Sequence, residues 1–231
     1  MNRNEIVSAE FDKLSNLLTE NTQGYSSANA KDIYSKIYFL VYLSRRFETK
    51  SYFDSPYYRA MSSFLIEGLI ALLKNVPNGS LLLLRSSIEN QLKSILFLSQ
   101  LNISERSYGE NFKTLQIHLL NNSFEIKKKK ECIEILRRHY SKLSAISHSA
   151  TSVNSYNIYE YYSDLINNTS LESCENSWLD VLDQICRYST YQCFDSFKNW
   201  EYFELCELLN LAFSKTFSRK LAEFFIDGKK F

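Results

Sequence analysis

Two prolines and five glycines in 231 residues leave this chain little to turn with. Strand proteins reverse direction often and draw on both residue types to do it. Long helices need neither. The scarcity points to an all-α fold, and the 45% apolar share supplies material for a core. The expectation is a single helical domain over 1–231. Its bundle core spans about 31–148, and the C-terminal helices over 170–226 flank it.

Apolar periodicity near 3.6 residues places the elements. Helices are expected over about Asn4–Thr19, Lys31–Glu48 and Pro56–Lys74, the last with proline in its first turn. The second shows Ile33, Ile37, Leu40 and Phe47 on one face. Val76-Pro77-Asn78-Gly79 breaks the pattern, and Ser80 is expected to cap a helix over Leu81–Leu101. The stripe of that helix is Leu81, Leu84, Ile88, Leu92 and Ile95. Further helices are expected over Glu105–Leu120 and Phe124–Ser147. Ser149–Ser155 reads as loop, and Tyr156–Ile166 as a short helix or extended segment. Thr169-Ser170-Leu171-Glu172 fits a capping box opening the next helix. A last helix is expected to carry Cys206, Leu209, Phe213, Phe217, Leu221 and Phe224.

Composition excludes several classes. A net charge of +1 argues against a dedicated nonspecific nucleic-acid binder. The charge is unevenly spread. Residues 127–142 balance at +5 and residues 171–210 at −6, so the two regions can face each other within one chain or across a homodimer. The 16 Tyr and 16 Phe read as amphipathic filler along helix edges. Five cysteines without a CxxC, and without histidine at ligand spacing, read as reduced core thiols. No metal site and no cofactor is expected, since phosphate-loop, nucleophile-elbow, HExxH and dinucleotide-binding patterns are lacking. The first residues carry no hydrophobic leader. The most apolar run, Phe64–Leu73, is short and interrupted by Glu67. A cytoplasmic protein with no membrane partner is expected.

The informative residues are polar side chains on apolar faces. At about 100° per residue, Arg85 falls within the apolar arc of its helix and Glu89 at the arc's edge. An arginine facing a core needs a partner, because a lone buried charge costs several kcal/mol. Glu89, one turn on, is the expected partner. The alternative is an arginine whose stem is buried and whose head reaches water. On the later helix the apolar arc is Cys132, Ile133, Leu136, Tyr140, Leu143 and Ile146. Arg137, Ser144 and His148 run along its edge. A histidine near a helix C-terminus is favoured in its protonated form and suits acid–base work near neutral pH. The plainer reading is a satisfied boundary histidine. His139 points nearer the centre of the arc and reads as a core residue. Lys127–Lys130, with Arg137, Arg138 and Lys142, form either a solvated face or a row of phosphate contacts.

Two segments carry a resemblance. Leu81-Leu-Leu-Leu-Arg-Ser-Ser-Ile-Glu89 resembles an LLRxxxE helix, and Tyr140-Ser-Lys-Leu-Ser-Ala-Ile-Ser-His148 resembles a YxxLSxxxH helix end. The pair is similar to the HEPN-like helical families, including bacterial branches met in defence and toxin–antitoxin loci. The resemblance implies a bundle whose core helices bring the Arg–Glu pair beside the Ser–His helix end. It also implies a homodimer, RNA as substrate, and a cognate antitoxin or defence-system protein as partner. The implied activity is that of a metal-independent endoribonuclease with His148, Arg85 and Glu89 as catalytic residues. Lys142, Ser144, Arg137 and Arg138 would meet RNA phosphates. The sequence departs from the family pattern, since no arginine stands four to six residues before a histidine. Lys142 holds the corresponding place before His148, and Arg85 is the candidate substitute from another helix. A second function class stays open: a noncatalytic interaction module in which Arg85, Glu89, Ser144 and His148 form a structural polar network.

Overall fold

The computed structural model describes residues 2–19, 27–119, 123–149 and 170–227, with the backbone alone for 19, 146–149 and 227. Within these residues the chain forms α1 (Arg3–Thr19), α2 (Ala28–Arg45), a 3-10 turn (Lys50–Phe53), α3 (Pro56–Leu73), α4 (Pro77–Leu98), α5 (Tyr108–His118) and α6 (Phe124–Ser149). Then come α7 (Leu171–Gln192), the single turn α8 (Phe194–Phe197), α9 (Tyr202–Leu209) and α10 (Lys215–Asp227). No strand occurs among the described residues, so the fold class is all-α. Ser149, expected to begin a loop, still belongs to α6; the rest of that segment, the one expected over Tyr156–Ile166, and Thr169 lie outside the described residues. No described helix is long and apolar enough to cross a membrane.

The chain turns with almost no glycine by placing other residues in the left-handed region. After α3, Asn75 has φ 58°. Its N–H donates to Leu72 O at 3.0 Å, and Val76 N–H donates to Ala71 O at 2.9 Å. After α4, Gln100 has φ 56°. Its N–H donates to Phe97 O at 3.0 Å, and Leu101 N–H donates to Leu96 O at 2.9 Å. Both ends are Schellman motifs with a Cβ where glycine is the usual occupant. That Cβ costs about 1–2 kcal/mol at each site.

Pro77, not Leu81, opens α4, because proline suits a first helical turn where an N–H is not needed. Ser80 is therefore no cap. It is fully buried inside the helix. Its hydroxyl donates to Gly68 O at 2.8 Å and accepts from Trp178 Nε1–H at 2.8 Å. Helices α3, α4 and α7 thus meet at one point. Gly68 permits the approach, since a Cβ there would stand 2.6 Å from the Trp178 ring.

Helix α7 is not the flanking element expected. It packs on α2, α4 and α6, with Trp178, Val181, Leu182, Ile185 and Cys186 fully buried. It lies inside the bundle because its apolar residues cover more than one face. Each such side chain contributes about 1.5–3 kcal/mol of transfer free energy. Its buried Glu175 accepts hydrogen bonds from the Ser27 hydroxyl and from Asn29 Nδ2 at 3.1 Å. Ser27 in turn accepts from Ala30 N–H at 2.9 Å and caps α2. A carboxylate at that positive helix end is favoured by the backbone dipoles. Ser170, not Thr169, caps α7 through the Ser173 N–H at 3.1 Å.

The stripe of α4 (Leu81, Leu84, Ile88, Leu92 and Ile95) is buried as expected. Phe47 is not. It is 80% exposed, because α2 ends at Arg45 and the chain leaves the helical register. The last expected helix is two, α9 and α10, since the chain breaks at Asn210 and restarts where the Ser214 hydroxyl accepts from Phe217 N–H at 3.4 Å. All five cysteines are free thiols. One contiguous core cluster joins residues from Val7 to Phe225.

Two substitutions at helix contacts carry opposite signs. Gly68→Ala is expected to lower stability by about 1–3 kcal/mol, because the Trp178 ring is packed on all sides and has nowhere to shift. Gln100→Gly is expected to raise stability by about 0.5–1 kcal/mol by removing the left-handed strain. Thermal melts check both, at about 2–4 °C per kcal/mol for a chain of this size. A Gly68→Ala protein with an unchanged melting temperature would contradict the Trp178 approach.

Candidate functional site

Helix α4 lies against both α6 and α7, and α6 lies against α7. This closed triangle brings residues 81–89 to the C-terminal half of α6. Arg85 is half-buried at the junction. Its Nε–H donates to Ser144 Oγ at 2.9 Å, and Nη2 donates to the Tyr140 hydroxyl at 3.0 Å. The guanidinium carbon also sits 4.9 Å from the Tyr140 ring centroid, a cation–π arrangement. Tyr108 of α5 stacks on Tyr140 at 3.7 Å between centroids and 9° between planes. Burial, and the neighbouring Tyr140, push the Tyr108 hydroxyl well above its ordinary range.

The expected pairing of Arg85 with Glu89 is not formed. Glu89 pairs with Lys93 at 3.3 Å. Lys93, only 8% exposed, also meets Glu105 at 2.8 Å. Burial alone would lower the Lys93 pKa, but the hydrogen bonds to Glu105 and Glu89 overcome this and raise it. Tyr57 adds its hydroxyl to Glu105 at 2.6 Å. Lys93 takes Glu89 because an i,i+4 Glu→Lys pair in that direction suits helix geometry. Among the described residues no carboxylate comes within 4.0 Å of the Arg85 guanidinium. Among the described residues Arg85 therefore rests on neutral acceptors alone.

The remaining candidates divide. Ser144 joins Arg85. Arg137 is exposed and stacks on Phe112 of α5 at 4.4 Å, away from the Arg85 guanidinium. Arg138 lies elsewhere, in a cleft of about 780 Å³ with Lys127 and Lys130. The acids there are engaged, Glu131 by Lys128 at 2.7 Å and Glu134 by Gln116 at 2.7 Å. Lys142 is exposed, and its charge acts on His139. His148 belongs to α6, four residues beyond Ser144; its side chain lies outside the described residues. His139 is no core histidine. It is half-buried in a cleft with Asp32, Lys36, Asp180 and Asp183. Burial there lowers its pKa, with Asp180 opposing and Lys142 and Arg138 adding to the effect. Among the described residues no group of three or more His, Cys, Asp or Glu is placed to hold a metal ion.

Tyr140 and Tyr108 were not among the expected site residues. The signal for Tyr140 was its place at the head of the YxxLSxxxH stretch, one turn before Ser144, although periodicity assigns it to the apolar arc. Tyr108 had none, since nothing local says that α5 folds back over that ring.

The Arg85 contacts are testable as couplings. Ser144→Ala and Tyr140→Phe are each expected to cost about 0.5–1.5 kcal/mol. A double-mutant cycle of either with Arg85→Met should show a coupling of about 0.5 kcal/mol or more by denaturant unfolding. Strict additivity in both cycles would mean that α4 and α6 do not meet here in solution.

Comparisons with protein-family models, curated proteins and solved structures give no match to this chain.

Proposed function

We propose that this chain is a HEPN-like helical protein of a bacterial defence or toxin–antitoxin system that acts on RNA as a metal-independent endoribonuclease. One observation carries the reading. Arg85 and Ser144, from the two stretches that bear the resemblance, lie 59 residues apart and are joined by a hydrogen bond of 2.9 Å. An arginine held by neutral hydroxyls, with no carboxylate on it among the described residues, presents its charge to an anion. Its planar fork suits a phosphate, and a partly buried site strengthens the attraction.

In this reading the RNA 2′-hydroxyl attacks the adjacent phosphorus and the 5′-oxygen leaves. A 2′,3′-cyclic phosphate results. His148 takes the proton from the nucleophile and returns one to the leaving oxygen. Arg85 neutralises the charge that develops on the phosphorane. Ser144 and Tyr140 hold the guanidinium in place, while Lys142, Arg137 and Arg138 extend contact along the phosphate backbone. Glu89 has no part in orienting Arg85, because Lys93 engages it. The protein works in the cytoplasm as a homodimer under the control of a cognate antitoxin or defence-system partner.

A second reading is favoured by the Tyr108–Tyr140–Arg85 stack. An arginine wedged between a ring and two hydroxyls also fixes helix register, and the chain is then a noncatalytic interaction module.

Incubation with total RNA separates the two. The enzymatic reading predicts cleavage products ending in cyclic phosphate without added metal. Their yield should fall at least about a hundredfold in His148→Ala, matching the usual worth of acid–base catalysis, with the melting temperature unchanged. An Arg85→Ala protein that neither cleaves nor melts lower agrees. Absence of cleavage by the wild type, with a large drop in melting temperature for Arg85→Ala, selects the structural network.

A further inference from the structure

A second cationic site lies apart from Arg85 and shares no residue with it. The C-terminal end of α2, the 3-10 turn and the first half of α3 enclose a cleft of about 630 Å³. That volume is in the range of small-molecule sites. Arg45, Lys50 and Arg59 stand at its rim, against a single acid, Asp54. This is a local excess of two positive charges on a chain whose net charge is +1.

The cations are poorly matched by protein acids. Arg45 ends α2 exposed, with no carboxylate within 4.0 Å among the described residues. Lys50 lies 4.9 Å over the ring of Phe47. Arg59 shares Asp54 at 3.2 Å, in a pair exposed to solvent at both ends. Below the rim the wall is apolar. Val41, Phe53 and Ile66 line it, and the Tyr58 ring is turned inward because its hydroxyl donates to Leu40 O at 3.0 Å. Ile66 is 45% exposed, so an apolar surface waits beside the charges. Ser51 and Ser63 also line the cleft.

We propose that this cleft binds an amphipathic phosphate ester. The phosphate meets Arg45, Lys50 and Arg59, and the organic body lies on Val41, Phe53 and Ile66. Inorganic phosphate would use only the rim. A purely apolar ligand would leave the cations unmatched. The same chemistry comes from a free ester in solution or from a phospholipid headgroup at a membrane surface.

Calorimetry on the full chain tests the site with two probes: inorganic phosphate and water-soluble dihexanoyl phosphatidic acid below its micelle concentration. Flotation with phosphatidylcholine vesicles carrying phosphatidic acid adds the membrane source. The soluble ester is expected to bind at least about tenfold tighter than phosphate, since burying two or three methylenes suffices for that. Arg45→Ala and Lys50→Ala should each weaken the ester about tenfold. Asp54→Asn should tighten it by removing a like charge. Ile66→Ser should weaken the ester and leave inorganic phosphate unchanged. Lys13→Ala, on the exposed side of α1, should change nothing. All these side chains are exposed, and melting curves confirm that the variants fold. Binding of the soluble ester assigns a free ligand. Flotation without it, abolished in Arg45→Ala/Lys50→Ala, assigns the headgroup. The proposal is overturned if the ester binds no tighter than phosphate and no vesicles are captured, or if the Arg45 and Lys50 variants bind as the wild type does.

Discussion

The approach of three helices at Gly68, Ser80 and Trp178 sets the geometry of everything else. Trp178 brings α7 down on α4 at the one place where α3 offers no side chain. The indole N–H must find an acceptor once it is buried, and Ser80 supplies it while returning its own proton to the α3 backbone. With α7 seated there, α6 has two walls to fill, and its apolar arc closes against both. Arg85 lies five residues past Ser80 on α4, so the same contact fixes its position relative to α6. The Arg85–Ser144 hydrogen bond is thus a consequence of apolar packing some turns away and not the force that makes it.

Helix α4 treats its two central cations differently. Lys93 is nearly inaccessible and gathers two carboxylates, Glu89 and Glu105. Desolvating a compact ammonium is costly, and only direct opposite charge offsets it. Arg85 is half-buried and delocalised, so hydroxyl oxygens and an aromatic face satisfy much of it without cancelling its charge. One helix therefore holds a neutralised cation that serves the fold and, two turns earlier, a cation with no acid on it among the described residues. Exchanging the two residues would leave the ammonium short of charge partners and the guanidinium cancelled.

What the sequence made legible follows from what periodicity can report. It tells which face of a helix is apolar, and the stripe of α4 and Cys132, Ile133, Leu136 and Leu143 of the α6 arc are buried accordingly. It does not tell which helix covers that face. Helix α7 looked peripheral because its place late in the chain says nothing of its place in the core. Glu89 looked like the partner of Arg85 because both lie on one helix. Lys93 is on that helix too, at the same spacing but in the better Glu-to-Lys direction, and Glu105, expected to open a helix, arrives from the loop before α5. Ser80 looked like a cap because serine after Pro-Asn-Gly usually is one. Its acceptor and donor come from residues 12 and 98 positions away in the chain. The break between α9 and α10 was hidden because apolar residues continue through it.

The lack of an arginine four to six residues before a histidine, the spacing of the HEPN-like families that the sequence resembles, bears differently on a folded helix bundle than on a string of letters. A spacing rule within one helix places two side chains a turn or two apart on one face. A tertiary contact does the same work when it fixes a residue of another helix at a known rung. Ser144 is one turn before residue 148 on α6, and Arg85 is hydrogen-bonded to that rung from α4. On the proposed reading, Arg85 therefore replaces an arginine of α6 without any change in which rung carries the positive charge. Lys142 then becomes secondary, an exposed ammonium whose charge also acts on His139.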